Sequence, residues 1–136
     1  MLIDNQSPHA KTLIYAFRAN AGFSLVSGIL MLLFTSHISH WFGALAHSLI
    51  IATGSLLIVF ALRLAYLTGP GKWLTAETRL VIAGDLGWVA TTIVLLTMYF
   101  GQISTTGLIV AATVAVMVSL FAAMQYKGLN DYQRQV

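Results

Sequence analysis

The chain has 136 residues, of which 58% are hydrophobic and only 8% charged, where a soluble domain carries about 25% charged residues. With a mean hydropathy of +0.84, that balance excludes an ordinary water-soluble domain and indicates an integral membrane protein. The formal net charge of +3 reflects topology and contact with anionic lipid rather than nucleic acid, and the lack of cysteine removes disulfides, thiol redox chemistry and thiolate metal sites.

The opening residues MLIDNQSPHAK lack the compact basic region of a secretory signal, and no small-residue cleavage pattern closes the first apolar run. The first span is therefore expected to stay as an anchor, with His9 in solvent ahead of it. No Asp, Glu, Lys or Arg occurs from Ala19 to Leu62, and none from Leu86 to Tyr126. Each stretch, about 40 residues long, is twice the roughly 20 residues that cross a bilayer as a helix, so each predicts a hairpin of two spans. The first is interrupted at TSHISHWFG (35–43) and the second at YFGQISTTG (99–107), both with the aromatic residues favoured at a membrane–water interface. Between them, TGPGKWLTAETR (68–79) ends one helix with Gly-Pro-Gly and offers Thr75 to cap the next. Spans are predicted near 14–36, 44–67, 77–100 and 106–127. The fold expected is all-α, one integral-membrane four-helix bundle over residues 1–136.

All seven Lys and Arg (Lys11, Arg18, Arg63, Lys72, Arg79, Lys127 and Arg134) fall at one face of this map, which places both termini in the cytoplasm. AGFSLVSGILMLLF (21–34) can be laid on AGDLGWVATTIVLL (83–96), and IIATG (50–54) near VAATV (110–114). Two tandem hairpins of like orientation, or a chance similarity between apolar helices, account equally for this.

Asp85 stands as a lone acid among apolar residues. Counted inward at about 1.5 Å per residue, Arg18, Arg63 and Asp85 share one layer, some 6–8 Å inside the cytoplasmic edge of a core roughly 30 Å thick. At 100° per residue, Asp85 shares a stripe with Thr78, Trp88, Thr92 and Tyr99, which should face the bundle. Arg63 lies near a stripe of Ser48, Ala52, Ser55 and Tyr66 and is expected to face inward too. Asn20, Ser24 and Gly28 form a small-residue ladder suited to close helix contact, leaving Arg18 on the opposite side as a lipid-facing anchor. In the fourth span, Gly107, Ala111 and Ala122 mark a small face with Gln125 at its end. The expected polar cluster is Asn20, Arg63, Tyr66, Asp85, Trp88 and Gln125, with an Arg63–Asp85 pair reducing the cost of a charge at membrane depth.

Two functions stay open for that cluster. In one, the pair stitches the bundle of a non-enzymatic accessory or structural subunit, with Asn20 and Gln125 as interhelical hydrogen-bond glue worth about 0.6 kcal/mol each; small-residue faces then pack against a second copy or a larger membrane complex. In the other, the cluster binds or transports a lipid or small amphipathic anion, with Arg63 holding the anion, Tyr66 and Trp88 forming walls, and Asp85 orienting Arg63 or titrating. His37, His40 and His47, in and beside the first outer loop, are the residues from which a metal or haem site would be built; no carboxylate or cysteine joins them, so neither metal nor cofactor is expected. No hydrolase, zincin, phosphate-loop or dinucleotide pattern occurs, which leans against an enzyme.

NAGFS (20–24), DLGW (85–88) and QYKGL (125–129) resemble a set of small four-span bacterial inner-membrane proteins of no assigned activity, and the likeness runs over most of the chain. The resemblance implies a multi-pass protein of the inner (plasma) membrane and brings no function with it. Small multidrug transporters are close in size but rely on a glutamate in their first helix, where this chain has Asn20 and no acid.

Overall fold

The computed structural model describes residues 7–43, 46–69 and 74–135. A 3-10 turn at Pro8–Ala10 leads into α1 (Lys11–Leu33), followed by α2 (Thr35–Phe42), α3 (Ala46–Leu67), α4 (Leu74–Met98) and α5 (Thr105–Gln135). The described residues form no strand. Four of these helices are long and apolar enough to cross a membrane, over Lys11–Leu33, His47–Leu67, Ala76–Met98 and Thr105–Gln135, and they fall on the four expected segments. Pro70, Gly71 and Lys72 of the central break, and the side chains of His9 and Thr75, lie outside the described residues.

Two local features differ from the sequence reading. The first break is itself helical. Phe34 leaves the α1 conformation (φ −113°, ψ 27°), while Thr35 donates from its hydroxyl to the carbonyls of Met31 and Leu32 at 2.7 and 3.0 Å, satisfying acceptors that a helix end leaves open. The chain restarts as α2, with Thr35, Ile38, Trp41 and Phe42 turned inward and Ser36, His37 and His40 outward, and stops at Gly43, whose φ of +83° suits a residue without Cβ. Second, α5 runs on past Lys127 to Gln135, because Leu129 and Tyr132 continue the buried face at helical spacing. At about 1.5 Å per residue its 31 residues extend well beyond a core of roughly 30 Å.

The long helices neighbour one another in the order α3, α1, α5, α4. Glycines permit the closest approaches. A Cβ built on Gly28 would lie 2.7 Å from the Gly54 carbonyl oxygen, so α1 and α3 meet backbone to backbone, and one on Gly128 of α5 would lie 2.9 Å from the Leu13 nitrogen of α1. Such close packing is what associates helices in lipid, where water exclusion gives no drive. Higher along the α1–α5 seam, the rings of Phe23 and Phe121 lie 5.5 Å apart. At the far end, the Ser104 amide donates to the Trp41 carbonyl at 2.8 Å and the Ser104 hydroxyl accepts from the Gly107 amide at 3.1 Å, so one residue caps α5 and ties α2 over it.

The apolar core gathers at the end bearing both termini: Ala10, Leu13 and Phe17 from the start of the chain, Leu64 and Leu67 from the end of α3, Val81 from α4, and Leu129 and Tyr132 from α5. The least enclosed span is α4. Only 11% of its apolar stretch is buried, against 33% for α1.

A buried polar cluster as the candidate functional site

The stripe expected on α4 is the face it turns inward. Thr78 and Asp85 are buried and Trp88, Thr92 and Tyr99 half-buried, while Ala83, Gly84, Gly87 and Ala90 on the other side are exposed. On α1 the Asn20, Ser24, Gly28 ladder is buried, and Arg18 lies outside. On α5, Gly107, Val118, Ala122, Gln125 and Gly128 form the buried face. Three helices thereby bring Asn20, Asp85 and Gln125 together, each the leading residue of one of the three segments NAGFS, DLGW and QYKGL.

Asn20 Nδ2 donates to Asp85 Oδ2 at 2.8 Å, and the Ser24 hydroxyl donates to Asn20 Oδ1 at 3.2 Å. The hydroxyl engages the amide oxygen, so the amide NH2 faces the carboxyl, and Asn20 is held in one orientation. Asp85 is 4% exposed, Asn20 1% and Gln125 0%. The Gln125 amide is a near neighbour of the Asp85 carboxyl, yet neither its Nε2 nor its Oε1 has a hydrogen-bond partner among the described residues. An amide left in that state is costly, by about 1–3 kcal/mol.

The expected Arg63–Asp85 pair is corrected. Arg63 Nη2 lies 2.6 Å from Glu77 Oε1, with the two side chains 55% and 28% exposed. The cause is the facing of α3. Its inner side carries Ile50, Gly54, Ala61, Leu64 and Leu67, and the stripe of Ser48, Ala52, Ser55 and Tyr66 that was expected inside is exposed. A serine can face lipid when its hydroxyl bonds its own helix, as Ser55 does to the Ile51 carbonyl at 2.8 Å. Tyr66 is 60% exposed and does not wall the cluster, and Trp88 is half-buried on the Asp85 stripe. Glu77, which the sequence reading passed over, sits in the first turn of α4, where the helix dipole favours a negative charge. Its signal was its position across the central break from Arg63, both close to that turn.

His37, His40 and His47 are exposed. His40 and His47 border, with Ser39 and Gly43, an open depression of about 310 Å³, while the His37 ring stands edge-on to Phe34 at 6.4 Å. Among the described residues no group of three His, Cys, Asp or Glu side chains is placed to hold a metal ion.

The cluster thus offers a carboxyl, one fixed amide donor and one uncommitted amide, in a place where among the described residues no Lys, Arg or His pairs with the acid. Such a set can accept and give up hydrogen bonds and a proton, and it contains no nucleophile poised beside a base. Comparison with protein-family models, with curated proteins and with solved structures finds no match, so the chemistry of this cluster is read from its own geometry.

Proposed function

We propose that this multi-pass membrane protein is a non-enzymatic accessory subunit of the inner (plasma) membrane, with both termini cytoplasmic, that docks against another transmembrane helix through the outer face of α4. The observation that carries this reading is a contrast among its glycines. Gly28, Gly54, Gly107 and Gly128 each stand where a Cβ would press on a neighbouring element, but around Gly22 on α1 and around Gly84 and Gly87 on α4 a Cβ would meet nothing within 4 Å, and of these helical glycines only Gly84 and Gly87 fall together on one helix. A glycine inside a helix costs about 1 kcal/mol relative to alanine, and among the described residues nothing packs on Gly84 or Gly87 to repay it. With Ala83 and Ala90 they make an exposed face of small residues, the kind that lets a second helix approach closely in lipid. The pairing of α1 with α3 and of α4 with α5 supports reading the chain as two tandem hairpins. The alternative reading, a site for an amphipathic anion, has lost its cation, since Arg63 is engaged by Glu77 at the surface.

The absence of native cysteine makes the test direct. Gly87→Cys should cross-link in native membranes to a second chain, its own copy or another, whereas Leu86→Cys, also exposed but 100° around the helix, should not. Gly84→Leu with Gly87→Leu should abolish the larger species while leaving the melting of the single chain unchanged. A Gly87→Cys protein that stays a lone chain in membranes and in nanodiscs sinks the proposal. For orientation, Ser39→Cys and Gln102→Cys should react with an impermeant thiol reagent from outside the cell and Arg134→Cys should not; the reverse pattern inverts the map.

A further inference from the structure

We infer that Asn20, Asp85 and Gln125 form a proton-binding site within the membrane, in which Asp85 carries an exchangeable proton and Gln125 is the residue that adapts to its presence or absence. An isolated ionised carboxylate in a low-dielectric interior is so costly that the group neutralises unless a cation accompanies it. The charged side chains that α1, α3, α4 and α5 could bring are Lys11, Arg18, Arg63, Glu77, Arg79, Lys127, Asp131 and Arg134. All stand at exposed or half-exposed positions, and among the described residues none pairs with Asp85. What faces Asp85 is neutral: Asn20 from α1 and Gln125 from α5.

The two amides are not equivalent. Asn20 is locked by Ser24 and can only donate to Oδ2, whichever form Asp85 takes. Gln125, buried with neither end of its amide engaged among the described residues, can turn about its terminal bond. With Asp85 protonated, the Oδ1–H donates to Gln125 Oε1. On release, the O–H bond breaks, the proton passes to water and the electron pair stays on the carboxylate; Gln125 then presents Nε2–H instead. One fixed donor and one reversible partner around a lone acid accommodate both states. A merely structural hydrogen-bond network, by contrast, would be satisfied in only one.

Infrared spectra of the whole chain in lipid nanodiscs test this. At neutral pH a protonated carboxylic acid C=O band is expected, moving on transfer to D2O and on carbon-13 labelling of aspartate, and lost as the buffer is made alkaline. The band should vanish in Asp85→Asn, a neutral isostere expected to melt like wild type at neutral pH. In Gln125→Leu it should shift to the frequency of an acid without a hydrogen-bond acceptor. No labelled acid band in wild type at neutral pH overturns the inference, and that result does not depend on any variant folding. A melting temperature that rises with sodium concentration in wild type but not in Asp85→Asn overturns it too, because the site would then hold a metal cation.

Discussion

Gly28→Ala is expected to weaken the bundle sharply, while Gly22→Ala, the same change less than two turns away on α1, should leave it unharmed or strengthen it. At Gly28 the new methyl would lie 2.7 Å from the Gly54 carbonyl oxygen and 2.8 Å from Ile58 Cγ1. The first of these is backbone and cannot swing aside, so α1 and α3 must move apart along their whole contact. Overpacking of this sort costs about 1–3 kcal/mol. At Gly22 the methyl meets nothing within 4 Å, and the helix gains the roughly 1 kcal/mol by which alanine is preferred over glycine. Thermal melting of the two variants in one detergent reads the difference directly. Equal melting temperatures would mean that α1 and α3 do not cross at Gly28 and Gly54.

The second large effect is expected at the α1–α4 link. Asn20→Ala removes the donor to Asp85 Oδ2, leaving a buried carboxyl oxygen unsatisfied at about 1–3 kcal/mol, while the Ser24 hydroxyl released from Asn20 can turn to its own helix. Interhelical hydrogen bonds in membranes average about 0.6 kcal/mol in double-mutant cycles and reach about 1.7. The coupling between Asn20→Ala and Asp85→Ala should fall at the upper end, because Asn20 is held at both ends of its amide. Arg63→Gln breaks an ion pair whose partners both meet the surroundings and should leave the melting temperature close to that of wild type, with no coupling to Asp85. Strong coupling of Asp85 to Arg63 and none to Asn20 would reverse the assignment made here.

How much of this could be read beforehand depended on which quantity a residue pattern encodes. The α4 stripe through Thr78, Asp85, Trp88 and Thr92 was legible because one polar side stood out on an aliphatic helix, and the Asn20, Ser24, Gly28 ladder because small residues recur at one-turn spacing. The α3 face was not. There, polarity misled: Ser55 satisfies its hydroxyl within its own helix, as Thr97, Thr113 and Ser119 do in theirs, so a small polar residue carries little information about which way a membrane helix turns. Counting along the axis put Arg63 in the layer of Asp85, but depth says nothing of azimuth, and azimuth gave Arg63 to Glu77. The Gln125 amide, without a hydrogen-bond partner among the described residues, had no signature at all, since its state follows from three helices converging and from which hydrogen bonds their side chains then leave unmade. α2 was hidden because its eight residues read as an interruption when set against a forty-residue apolar run.

The position of the apolar core gives this protein two solvents to fold against. At the terminal end, where the 31 residues of α5 exceed what a core of roughly 30 Å needs, Leu129 and Tyr132 join Ala10 and Leu13 in one apolar core, and water is what they are expected to exclude. Where Gly28 meets Gly54 and Phe23 meets Phe121, what is excluded is hydrocarbon. Only the first of these contacts carries the large heat-capacity change of apolar hydration, and only the first weakens on cooling or in urea. The terminal end of the bundle should therefore loosen in the cold while the lipid-embedded helices hold, and the unfolding heat capacity should fall well short of the roughly 12–15 cal/mol/K per residue of a soluble protein.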